Sequence, residues 1–373
     1  MKYYVIAGEA SGDLHGSNLI KQLKVLDQAA HFRCWGGDKM LAQGVTIVKH
    51  IKDLAFMGFI EVVSNLPTIL KNISFCKEDI LQYKPDAIIL IDYPGFNLRI
   101  AAFTKKHNIK VIYYISPQVW AWKQSRVKKI KATVDRMLVI LPFEQAFYKQ
   151  HDYEVFYTGH PLLDAIEDIK NNSNTWQEFI KTNVLPNKPI IALLPGSRKQ
   201  EISAMLPIML EVKNQFSDYQ FIVACAPSIS ADFYKGVMGS SDVQLVYDQT
   251  YQLLQHAKAA LVTSGTATLE TALFKVPEVV CYKGSNISYH IAKKLIKVKY
   301  ISLVNLIMDQ EIVKELIQND LNADQLKIHL TQLLNPEYQQ QLKAAYQDLS
   351  NKLGGIGASA RAAKHMVNFL EKK

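Results

Sequence analysis

The sequence predicts an α/β protein made of two doubly wound, Rossmann-like parallel-sheet domains with an interdomain cleft. Short apolar runs alternate with longer amphipathic ones, which is typical of parallel strands joined by helices. The 373 residues also exceed the ~250–300 that a single core usually holds. The alternation stops at a polar, Pro-containing stretch over residues 171–189 and then restarts, which indicates a boundary near residue 184.

The N-terminal domain is predicted to span residues 1–184. Its candidate strands are short β-rich runs, each followed by Gly, Pro or a polar residue, and they are Tyr3–Ala7, Ala87–Ile91, Val111–Ile115, Met137–Leu141 and Val155–Tyr157. Because these runs are apolar along nearly their whole length, we expect helices to cover both faces of the sheet.

The second domain is predicted to span residues 185–345. Its candidate strands are Ile190–Leu194, Phe221–Ala224, Gln244–Val246, Ala259–Val262 and Val279–Tyr282. Beyond Asp309, Leu and Ile recur at three- and four-residue spacing, which predicts helices. Residues 346–373 are expected to form C-terminal helices, and their return to the N-terminal domain would suit this fold.

The composition, 49% hydrophobic and 21% charged, excludes a disordered or fibrous chain. A net charge of +9 favours an anionic partner, such as a nucleic acid, an anionic lipid or a phosphorylated substrate. The N-terminal apolar run is too short for a signal peptide, and no run of about 18 apolar residues could span a membrane. The four cysteines form no CxxC pair and are interpreted as reduced thiols, so we predict a cytosolic protein.

Ligands of open parallel sheets bind beyond the carboxyl ends of the strands, so the loops that follow the strands are candidate binding loops. After the first strand of the second domain, Gly196 and Ser197 form a turn before a helix, whose free N–H groups attract phosphate. Arg198 adds a planar guanidinium group suited to phosphate oxygens. A surface turn with an exposed arginine is the alternative interpretation.

A second loop of this kind, formed by Ser264, Gly265 and Thr266, offers N–H groups and hydroxyls that can surround a phosphate. Glu270 follows in the first helical turn, where it can accept hydrogen bonds from ribose hydroxyls. A favourable acid near a helix N-terminus is the alternative for Glu270. Two such loops in one domain favour a nucleotide diphosphate, although neither has the Gly-Lys-Ser/Thr ending of a Walker loop.

Three carboxylates of the first domain are candidate site residues, with Glu9 and Asp13 as substrate-facing acids and Asp92 as a general base. Glu9 and Asp13 lie in a Gly-containing loop after the first strand, and Asp92 closes the second predicted strand beside a Pro-Gly turn. A partly desolvated acid at a cleft edge can accept a proton. The alternatives are a helix N-cap for Asp13 and a turn cap for Asp92. His160, in a Gly-His-Pro turn, is open to ligand contact or to turn packing.

Two segments are candidates for contact with acyl chains or a membrane. Residues 56–70 are more apolar than one buried helical face requires, and Trp120–Lys131 combines aromatic residues with five cations. The alternatives are a core segment and a solvated basic helix. The residues assigned to this contact are Met57, Phe59, Val62, Val63, Trp120, Trp122 and Arg126. The sequence contains no metal-ligand cluster and no serine nucleophile elbow, so neither a metal nor another cofactor is predicted.

Eight motifs together resemble the lipid-A-disaccharide synthases, which are inverting glycosyltransferases of the two-Rossmann-domain (GT-B) type. The motifs occur in order over about 300 residues, and they are Gly8–Asp13, Met57–Val62, Tyr114–Trp122, Leu141–Glu144, Gly159–Pro161, Leu194–Arg198, Ser264–Glu270 and Ser302–Leu306. The run from Ser116 to Trp122 is highly specific.

The resemblance implies UDP-2,3-diacylglucosamine as the donor and 2,3-diacylglucosamine 1-phosphate (lipid X) as the acceptor. The products would be a β-1,6-linked disaccharide 1-phosphate and UDP, formed in one displacement that inverts the anomeric carbon. The resemblance also implies peripheral binding to the anionic inner face of the inner membrane, with no nucleic acid as partner. Asn305 matches a family position near the uridine diphosphate, and family members can form homodimers.

One position departs from the family pattern. Many members carry a second acid where this chain has Gly95, so the base falls to Asp92, Asp13 or Glu9, with Asp92 preferred. Three other functions stay open for the whole protein. They are a related GT-B transferase acting on another lipid-linked sugar, a UDP-sugar epimerase of the same double-Rossmann shape, and a nucleic-acid-binding module, for which no recognised motif occurs.

Overall fold

The computed structural model describes residues 1–54, 66–122, 124–170, 174–284 and 298–372. The chain forms two compact units. One unit comprises Met1–Ala165 together with Leu353–Lys373, and the other is Ile166–Lys352. The boundaries expected from the sequence, near residues 184 and 345, both fall inside the second unit.

The first unit contains a seven-stranded parallel sheet. Its strands are β1 (Lys2–Ala7), β2 (His31–Gly36), β3 (Thr46–His50), β4 (Ala87–Ile91), β5 (Lys110–Tyr114), β6 (Arg136–Val139) and β7 (Phe156–Tyr157). Their order across the sheet is β3-β2-β1-β4-β5-β6-β7. Five strands match predicted runs, whereas β2 and β3 extend the sheet on a side that the sequence did not predict.

Helices connect these strands. They are α1 (Ala10–Leu26), α2 (Asp38–Leu41), α3 (Leu66–Tyr83), α4 (Pro94–Lys106), α5 (Val119–Trp122), α6 (Arg126–Thr133), α7 (Glu144–Lys149) and α8 (Leu162–Lys170). All five residues of β4 are buried, in agreement with the expectation from its unbroken aliphatic run. The core of this unit therefore lies on both faces of the sheet.

The second unit contains a six-stranded parallel sheet. Its strands are β8 (Ile190–Leu194), β9 (Gln220–Cys225), β10 (Gln244–Tyr247), β11 (Ala257–Thr263), β12 (Glu278–Tyr282) and β13 (Lys314–Ile317), in the order β10-β9-β8-β11-β12-β13. The prediction of helix throughout the region beyond Asp309 was wrong at β13. This strand pairs only with β12 in the part of the chain that the structure describes, and its Lys-Glu start gives it no strand-like apolar run.

The helices of the second unit pack around this sheet. They are α9 (Trp176–Thr182), α10 (Lys199–Glu211), α11 (Ala231–Met238), α12 (Thr250–His256), α13 (Thr266–Leu273), α14 (Leu303–Met308), α15 (Ala323–Leu333) and α16 (Pro336–Lys352). The strand order of each sheet reverses at one place, between β1 and β4 in the first and between β8 and β11 in the second. Open sheets bind ligands at such switch points, beyond the carboxyl ends of the two strands.

The last helix, α17 (Ala358–Glu371), belongs to the first unit and packs against α1. The Asp164 carboxylate accepts hydrogen bonds from the backbone N–H groups of Gly357 (2.6 Å) and Ser359 (2.8 Å). Arg361 donates from Nε to the carbonyl oxygen of Thr158 at 2.7 Å. These contacts attach the C-terminal segment to the first unit. Within the described residues, no helix has the length and apolar character needed to cross a membrane.

Candidate active site

The switch point of the first sheet brings together the loops that follow β1 and β4. Gly8 lies against the ring of Tyr93 so closely that a Cβ atom at residue 8 would stand 2.4 Å from the ring Cγ. Glu9 follows Gly8 and precedes α1, and Asp92 precedes Tyr93. The two acids that the sequence assigned to different loops, Glu9 and Asp92, therefore lie near each other.

The backbone at Asp92 is held in an unusual conformation. Asp92 and Tyr93 have φ angles of 42° and 47°, in the left-handed region that non-glycine residues seldom adopt. The carbonyl oxygen of Asp92 accepts hydrogen bonds from Asn97 Nδ2 (2.8 Å) and Tyr113 Oη (2.5 Å). Both donors are buried, so the core of this unit fixes the turn that presents the Asp92 side chain.

Asn97 and Tyr113 were not assigned a role from the sequence. Its position five residues after Asp92, just beyond the Pro-Gly turn, was the available signal for Asn97. Tyr113 lies in the next strand of the sheet, β5, so only the register of β4 against β5 places its hydroxyl beside Asp92.

The environment of Asp92 alters its acidity. Burial raises the pKa of Asp92 to about 7, the negative charge of Glu9 adds to this effect, and a hydrogen bond with the backbone at Tyr93 partly opposes it. A carboxyl group with a pKa near neutral pH is suited to accept a proton during a reaction. Asp92 is therefore the best general-base candidate among the three predicted carboxylates.

Asp13 has a different environment. Its buried carboxylate accepts three backbone hydrogen bonds, from Gly37 (2.6 Å), Lys39 (3.0 Å) and Met40 (3.1 Å). These donors lie at the start of α2, so Asp13 joins α1 to this short helix. A carboxylate with three internal donors is poorly placed to accept a substrate proton, which favours a structural role for Asp13.

Two buried histidines lie near the carboxyl end of the first sheet. The rings of His15 and His160 meet edge to face, with centroids 6.4 Å apart. Burial lowers the pKa of His15 to about 4 and that of His160 to about 3, so both rings are neutral at pH 7. His160 Nδ1 accepts a hydrogen bond from the N–H of Leu162 at 3.2 Å, which is the turn packing that the sequence left open.

Trp120 lies inside the first unit. It is 8% exposed, and its ring packs edge to face on Phe143 with centroids 4.9 Å apart. Its ring packs beside Phe143 and exposes little surface, and its assignment to contact with the acceptor or a membrane stays a prediction. The predicted contacts at Met57, Phe59, Val62 and Val63, and at the side chain of Trp122, lie outside the described residues.

The basic helix α6 is exposed along one side. Lys128, Lys129 and Lys131 face solvent, and Val127 and Ile130 are buried. Arg126, at the start of the helix, is only partly exposed. Burial raises the pKa of the Tyr113 hydroxyl well above its ordinary value, and the charge of Arg126 partly opposes that rise. Arg126 is therefore close enough to act electrostatically on a residue that holds Asp92.

In the second unit, the loop after β8 contains the predicted phosphate-binding residues. Gly196 has a φ of 116°, in the region that favours glycine. The Glu201 carboxylate accepts hydrogen bonds from the N–H groups of Ser197 (3.0 Å) and Arg198 (3.3 Å), and from Arg198 Nη1 (3.3 Å). The sequence did not single out Glu201, although it stands at the third position of α10, where an acid often caps a helix.

The loop after β11 has a more open helix start. Gly265 and Thr266 are exposed. Ser264 is held on both sides, because its N–H donates to the carbonyl oxygen of Cys281 (3.0 Å) and its Oγ donates to that of Ile301 (2.9 Å). The first turn of α13 thus presents its backbone at the carboxyl end of the sheet, beside the loop after β8.

Glu270 is paired with Tyr251, a residue that the sequence did not suggest. Tyr251 Oη donates to Glu270 Oε1 at 3.0 Å, and the tyrosine ring stacks on Phe274 with centroids 5.5 Å apart. Burial raises the pKa of Glu270, and the hydrogen bond from Tyr251 partly opposes this rise. The pair holds the Glu270 carboxylate in one orientation, because the tyrosine that donates to it is itself packed.

The Asn305 side chain is fully engaged inside the second unit. Its Nδ2 donates to the carbonyl oxygen of Val313 (2.8 Å) and to Glu315 Oε1 (2.9 Å). Its Oδ1 accepts from the N–H groups of Ile312 (2.7 Å) and Val313 (3.0 Å). These four bonds use the whole amide, so Asn305 orders the segment before β13. Across the described ranges, no group of three or more His, Cys, Asp or Glu residues could hold a metal ion.

The two parallel sheets, each with candidate loops at its switch point, define a two-domain α/β protein of the GT-B class. Solved structures of this class match the whole chain at low identity. The UDP-GlcNAc 2-epimerase of Neisseria meningitidis bound to UDP-GlcNAc aligns with a TM-score of 0.67 and 13% identity, covering 100% of both chains. A glycosyltransferase from Rickettsia africae aligns with a TM-score of 0.60 and 14% identity, covering 100% of this chain and 99% of that chain.

Sequence comparison resolves the family within this class. The model of the lipid-A-disaccharide synthetase family matches residues 3–367. The lipid-A-disaccharide synthase of Geobacter sulfurreducens is 36% identical, over 99% of this chain and 97% of its own length. That of Psychromonas ingrahamii is 39% identical, over 99% and 98%. The chain belongs to the lipid-A-disaccharide synthetase family.

Proposed function

We propose that this protein is a glycosyltransferase that forms the lipid A disaccharide from UDP-2,3-diacylglucosamine and lipid X. Family membership supports the reaction class. The observation that carries the chemistry is Asp92, a carboxylate held in a left-handed turn and with its pKa raised to about 7. The products are the β-1,6-linked disaccharide 1-phosphate and UDP.

The reaction is a single displacement that inverts the sugar. Asp92 accepts the proton of the acceptor 6-hydroxyl group as that oxygen bonds to the anomeric carbon of the donor. The bond between the anomeric carbon and the diphosphate oxygen breaks, and UDP leaves with the electron pair. With a pKa of about 7, Asp92 exchanges protons near neutral pH, and its ionised form can accept a proton.

The second unit binds UDP and stabilises its negative charge as it leaves. Arg198 and the backbone N–H groups at the starts of α10 and α13 contact the phosphates, and Glu270 accepts hydrogen bonds from ribose. Losing one preorganised contact of this kind typically costs ~2.7–4 kcal/mol of transition-state stabilisation. Asn305 supports this function by ordering the chain before β13.

The same proposal includes peripheral binding to an anionic membrane surface on the cytoplasmic side of the inner membrane. The exposed lysines of α6 and the net charge of +9 support it, because basic residues near anionic lipid each contribute about 1 kcal/mol. The apolar segment at residues 56–70 is assigned to the acyl chains or the membrane. A homodimer remains a prediction from the family resemblance.

The direct test is a mixed-micelle assay with both lipid substrates and EDTA, using wild-type protein, Asp92→Asn and a matched control, Asp38→Asn. Asp38 is an exposed acid of the same unit that pairs with Lys52 and His50. We expect the disaccharide from wild type and Asp38→Asn, and a loss of about 100-fold or more for Asp92→Asn, since general-base catalysis contributes about 10²–10⁴-fold. Epimerisation of the donor without transfer would contradict the proposal and support an epimerase.

A further inference from the structure

Glu201 occupies the hydrogen-bond donors that the proposed function gives to the diphosphate. Its Oε2 atom accepts from the N–H groups of Ser197 (3.0 Å) and Arg198 (3.3 Å), and its Oε1 atom accepts from Arg198 Nη1 (3.3 Å). One carboxylate thus holds two backbone donors and one guanidinium donor of a single loop. Glu201 is 31% exposed and Arg198 is 58% exposed, so both can reach solvent and a ligand.

The loop is shaped to admit this carboxylate. A Cβ atom at Gly196 would lie 2.6 Å from both Cβ and Oε2 of Glu201. The glycine is therefore required for the positive φ and also for the close approach of Glu201. A negative group is built into the place where a phosphate oxygen would accept the same bonds.

Glu201 forms a capping box at the start of α10, and its carboxylate also accepts from the N–H of Ser197 and from Arg198 Nη1, which a capping box does not require. The same unit contains an ordinary capping box at α9, where Glu178 accepts from the N–H of Thr175 at 2.8 Å and from its Oγ1 at 3.0 Å. Among the described residues, Glu178 contacts no arginine at its cap, and α9 does not directly follow a strand of the sheet. The first turn of α13 contains no acid, contrary to the expectation for Glu270, which is the fifth residue of that helix and accepts from Tyr251 instead.

We propose that Glu201 is an internal competitor of the diphosphate and sets the affinity of this loop for it, an inference that rests on the proposed function. A phosphate oxygen and the Glu201 carboxylate cannot both accept these hydrogen bonds, and two negative groups at one place repel each other. Binding of the diphosphate therefore moves the Glu201 side chain away and replaces its contact with Arg198 Nη1 by a contact with a phosphate oxygen. A ligand without phosphate does not compete with Glu201.

The test is calorimetric titration of UDP and of uridine into wild-type protein, Glu201→Gln and Glu178→Gln. Glutamine keeps the shape of the side chain and one acceptor oxygen but removes the negative charge. We expect Glu201→Gln to bind UDP about 3- to 30-fold more tightly than wild type, the range expected when a helix cap no longer competes. Uridine affinity should be unchanged. Glu178→Gln, which weakens a cap of the same kind, should leave UDP affinity unchanged.

Each outcome separates the two proposals. Equal or weaker UDP binding by Glu201→Gln, with uridine binding intact, overturns the competitor role and leaves the proposed function standing. Absence of UDP binding in both proteins overturns the proposed function together with this inference. Thermal unfolding of each variant controls for damage to α10, and Glu201→Ala should tighten UDP binding in the same direction if Glu201→Gln fails to fold.

Discussion

Glu9 should raise the pH at which this enzyme loses activity, because its charge is the second cause of the raised pKa of Asp92. The pKa of Asp92 lies at about 7 instead of 3.8. At about 1.4 kcal/mol per pH unit, this difference corresponds to about 4 kcal/mol in favour of the neutral carboxyl group. Burial is the largest cause and would remain in Glu9→Gln, so only part of the difference should be lost.

The measurement is kcat/KM for disaccharide formation between pH 5 and 9. Wild type should lose activity as the pH falls through about 7, because Asp92 becomes protonated and can no longer accept the 6-hydroxyl proton. In Glu9→Gln, this fall should move downward by about one pH unit, which is typical of the removal of one nearby like charge. The removal of a remote acid in Asp38→Asn should leave the profile in place.

Two results would contradict the roles given to Asp92 and Glu9. A wild-type profile that stays flat down to pH 5 would mean that Asp92 is not the base or that its pKa is not raised. A Glu9→Gln profile identical to that of wild type would mean that the two carboxylates do not interact.

Three further changes test other parts of the structure. Tyr251→Phe removes the donor to Glu270 and should weaken UDP binding about 3- to 10-fold, as measured by calorimetry, because the net contribution of one hydrogen bond is about 0.5–1.5 kcal/mol. Unchanged affinity would remove Glu270 from the site. Gly8→Ala should lower the free energy of unfolding by about 1–3 kcal/mol, since its Cβ would clash with the Tyr93 ring, and chemical denaturation that shows no loss would contradict the packing. Burial raises the pKa of Glu278 well above 4.5, so wild-type stability should decline as the pH rises above about 4.5. Glu278→Gln should therefore raise Tm at pH 8 but not at pH 5. An equal shift of Tm at both pH values would contradict this expectation.

The sign of the Glu278 effect follows from proton binding. The folded protein retains the proton of this buried carboxyl group to a higher pH than the unfolded chain does, so raising the pH favours the unfolded chain. Both carboxyl oxygens are buried without a hydrogen-bond partner among the described residues, which is why ionisation is so unfavourable.

The sequence predicted the strands that contain an uninterrupted apolar run and missed β2, β3 and β13, whose apolar runs are short or interrupted by charged residues. β4 and β8 are buried at every residue, and a continuous aliphatic run indicates such a strand. β2 contains His31 and Arg33, and the guanidinium of Arg33 forms an ion pair with Asp79 of α3 at 2.6 Å. Arg33 interrupts the apolar run of β2, and its ion-pair partner lies far away in the sequence. β2 therefore could not be recognised from its own residues.

For the candidate site, the sequence located the loops but not the residues that contact each candidate side chain. Loops that follow strands could be located, because the switch-point rule needs only the order of the strands. The residues that form hydrogen bonds with each candidate site residue come from elsewhere in the chain. Tyr113 reaches Asp92 through sheet register, and Tyr251 reaches Glu270 across 19 residues. The internal bonds of Asp13 were likewise invisible, since their donors lie 24 to 27 residues away.

We propose that Asp92 acts as the base in a single inverting displacement on a UDP-sugar. The most direct measurement is proton NMR of the purified product from UDP-2,3-diacylglucosamine and lipid X, with wild-type protein and Asp92→Asn compared at equal concentration. We expect a disaccharide whose new linkage has the β configuration, formed by wild type and nearly absent from Asp92→Asn. An α-linked product, or the same product at the wild-type rate from Asp92→Asn, would contradict it.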